Sequence, residues 1–191
     1  MTSLDYIKSR RTIRAFSTQP VEQEKLDRIV EAAQYAPSGM NNQSWYFAVV
    51  SGAALQKLQH QIRDFFRQLE LTSEMPPFFG VCKENALKSD DWSFFYGAPT
   101  LLIVANKKGY RNAMADSAAA TMNAMIEATE LGLGTGWITT LSGNTNQPLV
   151  RAALRELGVP EDYDVCTSMS IGYAAESPVA TERKSVVKYF G

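Results

Sequence analysis

Cysteine and histidine are nearly absent, with Cys82, Cys166 and His60 the only examples in 191 residues. One histidine rules out two-histidine metal sites. Two distant cysteines with no C-x-x-C give neither a disulfide framework nor a zinc knuckle. A dominant charge is lacking too: 19 Lys and Arg against 20 Asp and Glu leave a net charge of −1. Bulk electrostatics therefore offers no hold on nucleic acid or a membrane surface. No run approaches the about 18 apolar residues of a membrane span, and the opening MTSLDYIKSRR has no apolar stretch of the signal-peptide kind. Internal repeats and linker compositions are also missing. The expectation is a reduced, cytoplasmic, globular protein in which 1–191 is one domain. Its 45% hydrophobic and 20% charged residues suit that reading, and at this length roughly 70% of the unfolded surface can be buried without a staple.

Periodicity predicts alternating helices and strands. Leu4 and Ile7 give a short helix over Ser3–Ser9, and Leu26, Ile29, Val30 and Ala33 give a clearer one that Pro37 stops. A polar loop, Ser38–Ser44, leads into a strand over Trp45–Val50. Gly52 opens a helix with Leu55, Leu58, Ile62, Phe65, Phe66 and Leu69 on one face, placing His60 as a surface or packing residue. The stretch 72–93 has no clean period and is expected to be a long loop or lid, with room for a short helix inside it. Thr100–Ala105 is a continuous apolar run, predicting a strand covered on both faces. Asn112–Leu131 predicts a long, central helix with a close-packing face of Ala115, Ala118, Ala119 and Ala124, plus Met122, Met125 and Ile126. A strand at Trp137–Leu141, a helix at Pro148–Leu157, a strand at Val165–Tyr173 and a polar tail, 174–191, complete the chain. Such alternation favours a layered sandwich.

Four segments carry candidate chemistry. Arg10-Arg11-Thr12-Ile13-Arg14 sets three guanidiniums within five residues, which repel unless an anion or carboxylates lie among them, and the arginine fork suits phosphate. A solvated basic turn is the bland alternative. Pro37-Ser38-Gly39-Met40-Asn41-Asn42-Gln43 places neutral hydroxyl and amide groups between a helix stop and a strand start, able to face a polar ligand. Turn chemistry alone explains some of them. The run Gly132-Leu133-Gly134-Thr135-Gly136 has G-x-G-x-G spacing and follows a helix, so it is not the dinucleotide fingerprint. Helix capping accounts for one glycine, and the rest leave an open backbone for a flat ligand. Arg183-Lys184 in the tail can complete an anion site if the tail folds back. Side-chain nucleophiles and acid–base pairs are poorly supplied, so any chemistry is expected to belong to a cofactor.

Taken in order, Arg10–Arg14, Pro37-Ser38-x-x-Asn41-x-Gln43-x-Trp45, Ala98-Pro99, Asp116 with Asn123, Leu131–Trp137, Ile171-Gly172-Tyr173 and Arg183-Lys184 resemble the FMN-dependent nitroreductase family over nearly the whole chain. The resemblance implies an α+β, three-layer sandwich with a mixed, mostly antiparallel sheet flanked by helices. It also implies an intertwined homodimer with flavin at the interface. By the same resemblance, Arg10, Arg11, Thr12 and Arg14 hold the FMN phosphate and ribityl chain, with Arg183 and Lys184 helping. Pro37, Ser38, Gly39, Asn41 and Gln43 lie beside the flavin from the partner chain, and Gly134, Thr135 and Gly136 face its N5/O4 edge. NAD(P)H is the implied donor, in a ping-pong cycle. The implied small-molecule acceptors are nitroaromatics, quinones or enones, and neither nucleic acid nor membrane is expected as a partner.

Three departures stand out: Ser44 replaces a frequent proline, predicting a looser loop; Gly136 stands where relatives frequently carry cysteine or another side chain; and the stretch 72–93 has no counterpart. Asn85 and Lys88 have an N-x-x-K spacing seen at the flavin of some relatives. Rival readings are a divergent flavin reaction (dehalogenation, azoline oxidation, flavin fragmentation), a flavin-storage protein with little turnover, and an RNA- or phosphate-binding module using the arginines.

Overall fold

The chain is buried on both sides of one strand, Thr100–Lys107, and the rest of the molecule is arranged around it. The structure is a computed structural model describing residues 1–191. The helices are α1 (Ser3–Ser9), α2 (Gln23–Gln34), α3 (Gly52–Gln68), α4 (Phe78–Lys88), α5 (Ala113–Glu130) and α6 (Pro148–Glu156). The strands are β1 (Tyr46–Ser51), β2 (Thr100–Lys107), β3 (Gly134–Ile138) and β4 (Tyr163–Gly172). They form one sheet in the order β1-β2-β4-β3, and each ladder is antiparallel. The parallel component of the expected mixed sheet is a single bridge between Thr12 and Thr135.

Alternation along β2 divides the core. Leu101, Ile103 and Ala105 pack with Leu58, Ile62 and Phe66 of α3, Phe79 of α4 and Leu154 of α6. Leu102 and Val104 pack on the other face with Leu26, Ile29 and Ala33 of α2 and Ala120, Ala124 and Ala128 of α5. Successive side chains on a strand point to opposite faces, so an unbroken apolar run needs a helical layer on each. The result is the α+β three-layer sandwich.

Three elements differ from expectation. β3 spans Gly134–Ile138 rather than starting at Trp137, so Gly134–Gly136 is strand, while Gly132, with φ of 76°, stays in the turn that ends α5. The stretch 72–93 contains an eleven-residue helix, α4, whose buried residues are Phe79 and Ala86. Phe78, Val81 and Leu87 stay exposed, which is why no period shows in the sequence. The small face of α5 is split. Ala124 and Met125 are buried, whereas Ala115 is exposed and Ala118, Ala119, Met122 and Ile126 are only half-buried. No helix of the chain is long and apolar enough to cross a membrane.

Candidate flavin site

The arginine segment leaves α1 at Arg10 in extended backbone and runs alongside β3. The Ile13 amide donates to the Thr135 carbonyl at 2.9 Å, and the Ala175 amide donates to Ala15 O at 2.9 Å. Phe16 bridges to Ala174. This segment is therefore held between β3 and the chain leaving β4. The glycines make that possible. A Cβ on Gly134 would sit 2.7 Å from Ile13 Cγ1, and one on Gly136 would sit 2.8 Å from both Ile13 O and Ser170 Oγ.

A cavity of about 370 Å³ opens where the segments meet, lined by Arg10, Arg11, Gly134 and Glu176 among others. Partial burial, then the neighbouring charges of Arg183 and Arg11, hold the Arg10 guanidinium below its ordinary pKa. Arg183 of the tail is near enough to add to that repulsion, and its guanidinium donates to Thr181 Oγ1 at 3.4 Å. Arg11 folds back, donating through Nη1 to the Lys8 and Arg10 carbonyls at 2.7 and 2.8 Å. Glu176 lines the same cavity but forms no ion pair with the guanidiniums; its carboxylate accepts the backbone amides of Arg14 and Ala15. None of Arg10, Arg11, Arg14, Arg183 or Lys184 forms an ion pair. Thr12 lies opposite Thr135, whose hydroxyl is buried and has no partner. Arg14 is exposed, with its guanidinium 5.9 Å from the Tyr96 ring centroid. Lys184 is exposed in the tail.

The polar loop is built differently. Met40, Asn41 and Gln43 all have left-handed φ, at 53°, 55° and 46°. Such residues cost on the order of 1–3 kcal/mol each and persist only where their surroundings over-determine them. Buried Asp116 supplies the clamp: its carboxylate accepts the Gly39 amide at 3.2 and 3.3 Å and the Tyr110 hydroxyl at 2.8 Å. Ser38 Oγ accepts the Gln43 amide at 3.0 Å, and Gln43 Nε2 donates to Asn41 Oδ1 at 2.6 Å. Ser44 is not the loose joint expected from its replacing proline. It is buried and donates to Asn106 Oδ1 at 2.7 Å. Pro37 is exposed beside this loop and Met40 projects fully into solvent.

The two halves do not meet within one chain. The loop is tied to Asp116 in the first turn of α5, whereas Gly132–Gly134 follows that helix's end. At about 1.5 Å per residue, roughly 25 Å of helix separates them. Asp116 entered the family resemblance without a role, and Asn106, Tyr110 and Tyr96 were not singled out. An acidic residue within a run of alanines was the available signal for Asp116, and nothing local marked the others. Asn85 lines a cavity beside Trp137, while Lys88 is paired with Glu84.

The model of the nitroreductase family matches residues 7–173. The chain belongs to the nitroreductase family. A crystal structure of a nitroreductase with bound FMN from Bacteroides fragilis is similar, with a TM-score of 0.84 and 32% identity over 100% of this chain and 98% of that one. A protein of Archaeoglobus fulgidus that bears the name NADH dehydrogenase/NAD(P)H nitroreductase is 30% identical over 171 residues, 89% of this chain and 84% of its own. The similarity to an iodotyrosine deiodinase of Haliscomenobacter hydrossis is 32% over 109 residues, 53% of this chain and 46% of that protein. This chain thus shares nearly its full length with the first two and about half with the deiodinase.

Proposed function

We propose that this nitroreductase is an FMN-dependent oxidoreductase that takes electrons from NAD(P)H and delivers them to an electrophilic small molecule. The observation that carries the reading is the unpaired guanidinium cluster. Arg10 and Arg11 line one cavity with Arg183 near enough to act on Arg10, and the one carboxylate in that lining, Glu176, accepts backbone amides instead of pairing with them, an arrangement that suits a bound phosphate. The orphaned, buried Thr135 hydroxyl fits a polar ligand at the same place. Arg10, Arg11, Arg183 and Lys184 hold the phosphate, Thr12 and Arg14 the ribityl chain, and Gly134, Thr135 and Gly136 border the ring. When bound, FMN supplies two-electron hydride chemistry that no side chain here offers. The chain's own part is to neutralise the phosphate, fix the ring against β3 and limit water on that side through buried Ile13 and Thr135.

Pro37, Ser38, Gly39, Asn41 and Gln43 complete the site from a second copy, because roughly 25 Å of α5 keeps them from the arginines of their own chain. The open α5 face and the exposed Val186, Val187, Tyr189 and Phe190 of the tail support such a homodimer. Nitroaromatics, quinones or enones are the acceptors.

The test is an absorption spectrum before and after anaerobic NAD(P)H. A yellow protein, bleached by the donor and recoloured by a nitroaromatic, is the expected result. A colourless protein whose melting temperature FMN does not raise would overturn the assignment, and a bleachable protein with no turnover would indicate storage.

A further inference from the structure

Beside β3 lies a second cavity, of about 260 Å³, between α4 and the end of that strand. Five of its walls are aromatic: Phe78, Trp92, Phe94, Tyr96 and Trp137. None of the lining side chains is Asp, Glu, Lys, Arg or His. An apolar cavity of about 150 Å³ already admits a benzene ring, so this one has room for a single substituted ring. Two walls are locked to the core: Trp92 meets the fully buried Phe66 edge-on at 5.6 Å and 87°, and Phe94 meets Phe95 at 5.0 Å and 90°. The slot is therefore formed before any ligand arrives, which reduces the ordering cost of binding.

Tyr96 joins this slot to the site described above. Its φ of 62° lies in the left-handed region, followed by Gly97 at 68°. Ser93 Oγ holds the turn by accepting the Phe95 and Gly97 amides at 3.3 and 3.0 Å. A strained, non-glycine residue held this way is a signature of a functional position. The ring lies under the Arg14 guanidinium, and a Cβ on Gly136 would come within 3.8 Å of it.

We infer that the slot is the acceptor subsite and that it selects uncharged, planar monocyclic rings over ionised or zwitterionic ones, with Trp137 and Tyr96 setting the preference. Burying an ionised group with no partner is costly, and no charged side chain belongs to the lining; the Arg14 guanidinium over Tyr96 is exposed and stands outside it. A free amino acid such as iodotyrosine brings an ammonium and a carboxylate, so the same lining argues against deiodination. The inference rests on the oxidoreductase reading for its turnover but not for its binding.

The test uses nitrobenzene, 4-nitrobenzoate and 4-nitrophenylalanine as probes of one reactive group with different charge. In flavin-free protein, quenching of tryptophan fluorescence corrected for absorption reads binding alone. In FMN-loaded protein, kcat/KM with NAD(P)H reads use of the subsite. Nitrobenzene is expected to bind and react at least about tenfold better than the other two, in the range hydrophobic pockets discriminate. Trp137→Ala is expected to raise KM for nitrobenzene by about tenfold with FMN affinity unchanged, and Trp137→Phe to restore most of it. Val81→Lys, at an exposed position in the lining, is expected to shift the preference toward 4-nitrobenzoate. Equal handling of the three probes, or unchanged KM and quenching in Trp137→Ala, would overturn the inference. A protein that binds no FMN while still discriminating by fluorescence would sink the oxidoreductase reading and leave the slot standing.

Discussion

At Gly136 a single missing methylene group decides how the N-terminal segment lies on the sheet. The added carbon of Gly136→Ala would face a backbone carbonyl, Ile13 O at 2.8 Å, which cannot swing aside as a side chain can. The variant is expected to lose about 1–3 kcal/mol, the usual cost of overpacking, and to bind FMN more weakly; urea unfolding and flavin titration check both. Asp116 acts by charge rather than size. Asp116→Ala leaves the Gly39 amide and Tyr110 hydroxyl without their acceptor, a loss of about 1–3 kcal/mol. Asp116→Asn, which keeps one acceptor oxygen, is expected to fall between this and the native protein. If both variants unfolded at the native urea concentration, the loop would not depend on this clamp. The arginine cluster was legible in the sequence because like charges packed so densely demand an explanation. The clamp was not, since an aspartate among alanines gives no hint that a loop 77 positions earlier donates to it.

Elements with one buried face were readable; those that share their surface were less so. α1 falls where the spacing of Leu4 and Ile7 put it, although none of its residues is buried and the reciprocal cap of Thr2 and Asp5 marks its start. α3 keeps the buried stripe Leu55, Leu58, Ile62, Phe65 and Phe66. α4 escaped detection because Phe79 and Ala86 alone point inward while apolar neighbours face out. Gly80 lies inside α4 with only Leu71 near its would-be Cβ, at 3.9 Å. Gly80→Ala should therefore stabilise the helix, by about 0.5–1 kcal/mol, and a lower melting temperature in calorimetry would show that the glycine has some other use. β3 was misplaced for a related reason. Strand propensity penalises glycine, but here the glycines admit a neighbouring segment that any side chain would exclude.

At the scale of the molecule, charge and symmetry make separate claims. Hydrogen bonds from cations hold four carboxyls below their ordinary pKa: Glu84 by Lys88, Asp90 by Arg67, Glu156 by Lys57 and Glu161 by Arg155. Near pH 4 the unfolded chain therefore binds more protons than the native one, so stability rises with pH there. The support these pairs give is complete above the ordinary carboxylate range of about 4 and is lost as pH falls through the lowered native values. Urea midpoints measured from pH 6 down to pH 3 should decline, and a flat profile would contradict the pairs. Symmetry predicts complementation. A protomer carrying Arg10→Ala and Arg11→Ala, mixed with one carrying Ser38→Ala and Asn41→Ala, should regain one intact flavin site in each mixed dimer, although neither homodimer has any. Titration showing no recovery after refolding the two together would place both halves of the site in one chain.

What the sequence determined by itself is local: most helices and strands, with α4 and the start of β3 excepted, the two-sided burial of β2, and the presence of an arginine cluster and a polar loop. These follow from periodicity, capping and like-charge repulsion, all of which act over a few residues. Tertiary structure alone decided that α5 stands between the arginines and the loop, that Asp116 holds the loop's strain, and that Tyr96 links β3 to an aromatic slot. Those relations depend on how layers pack across the sheet, and residues distant in the chain become neighbours only when burial of the apolar faces brings them together.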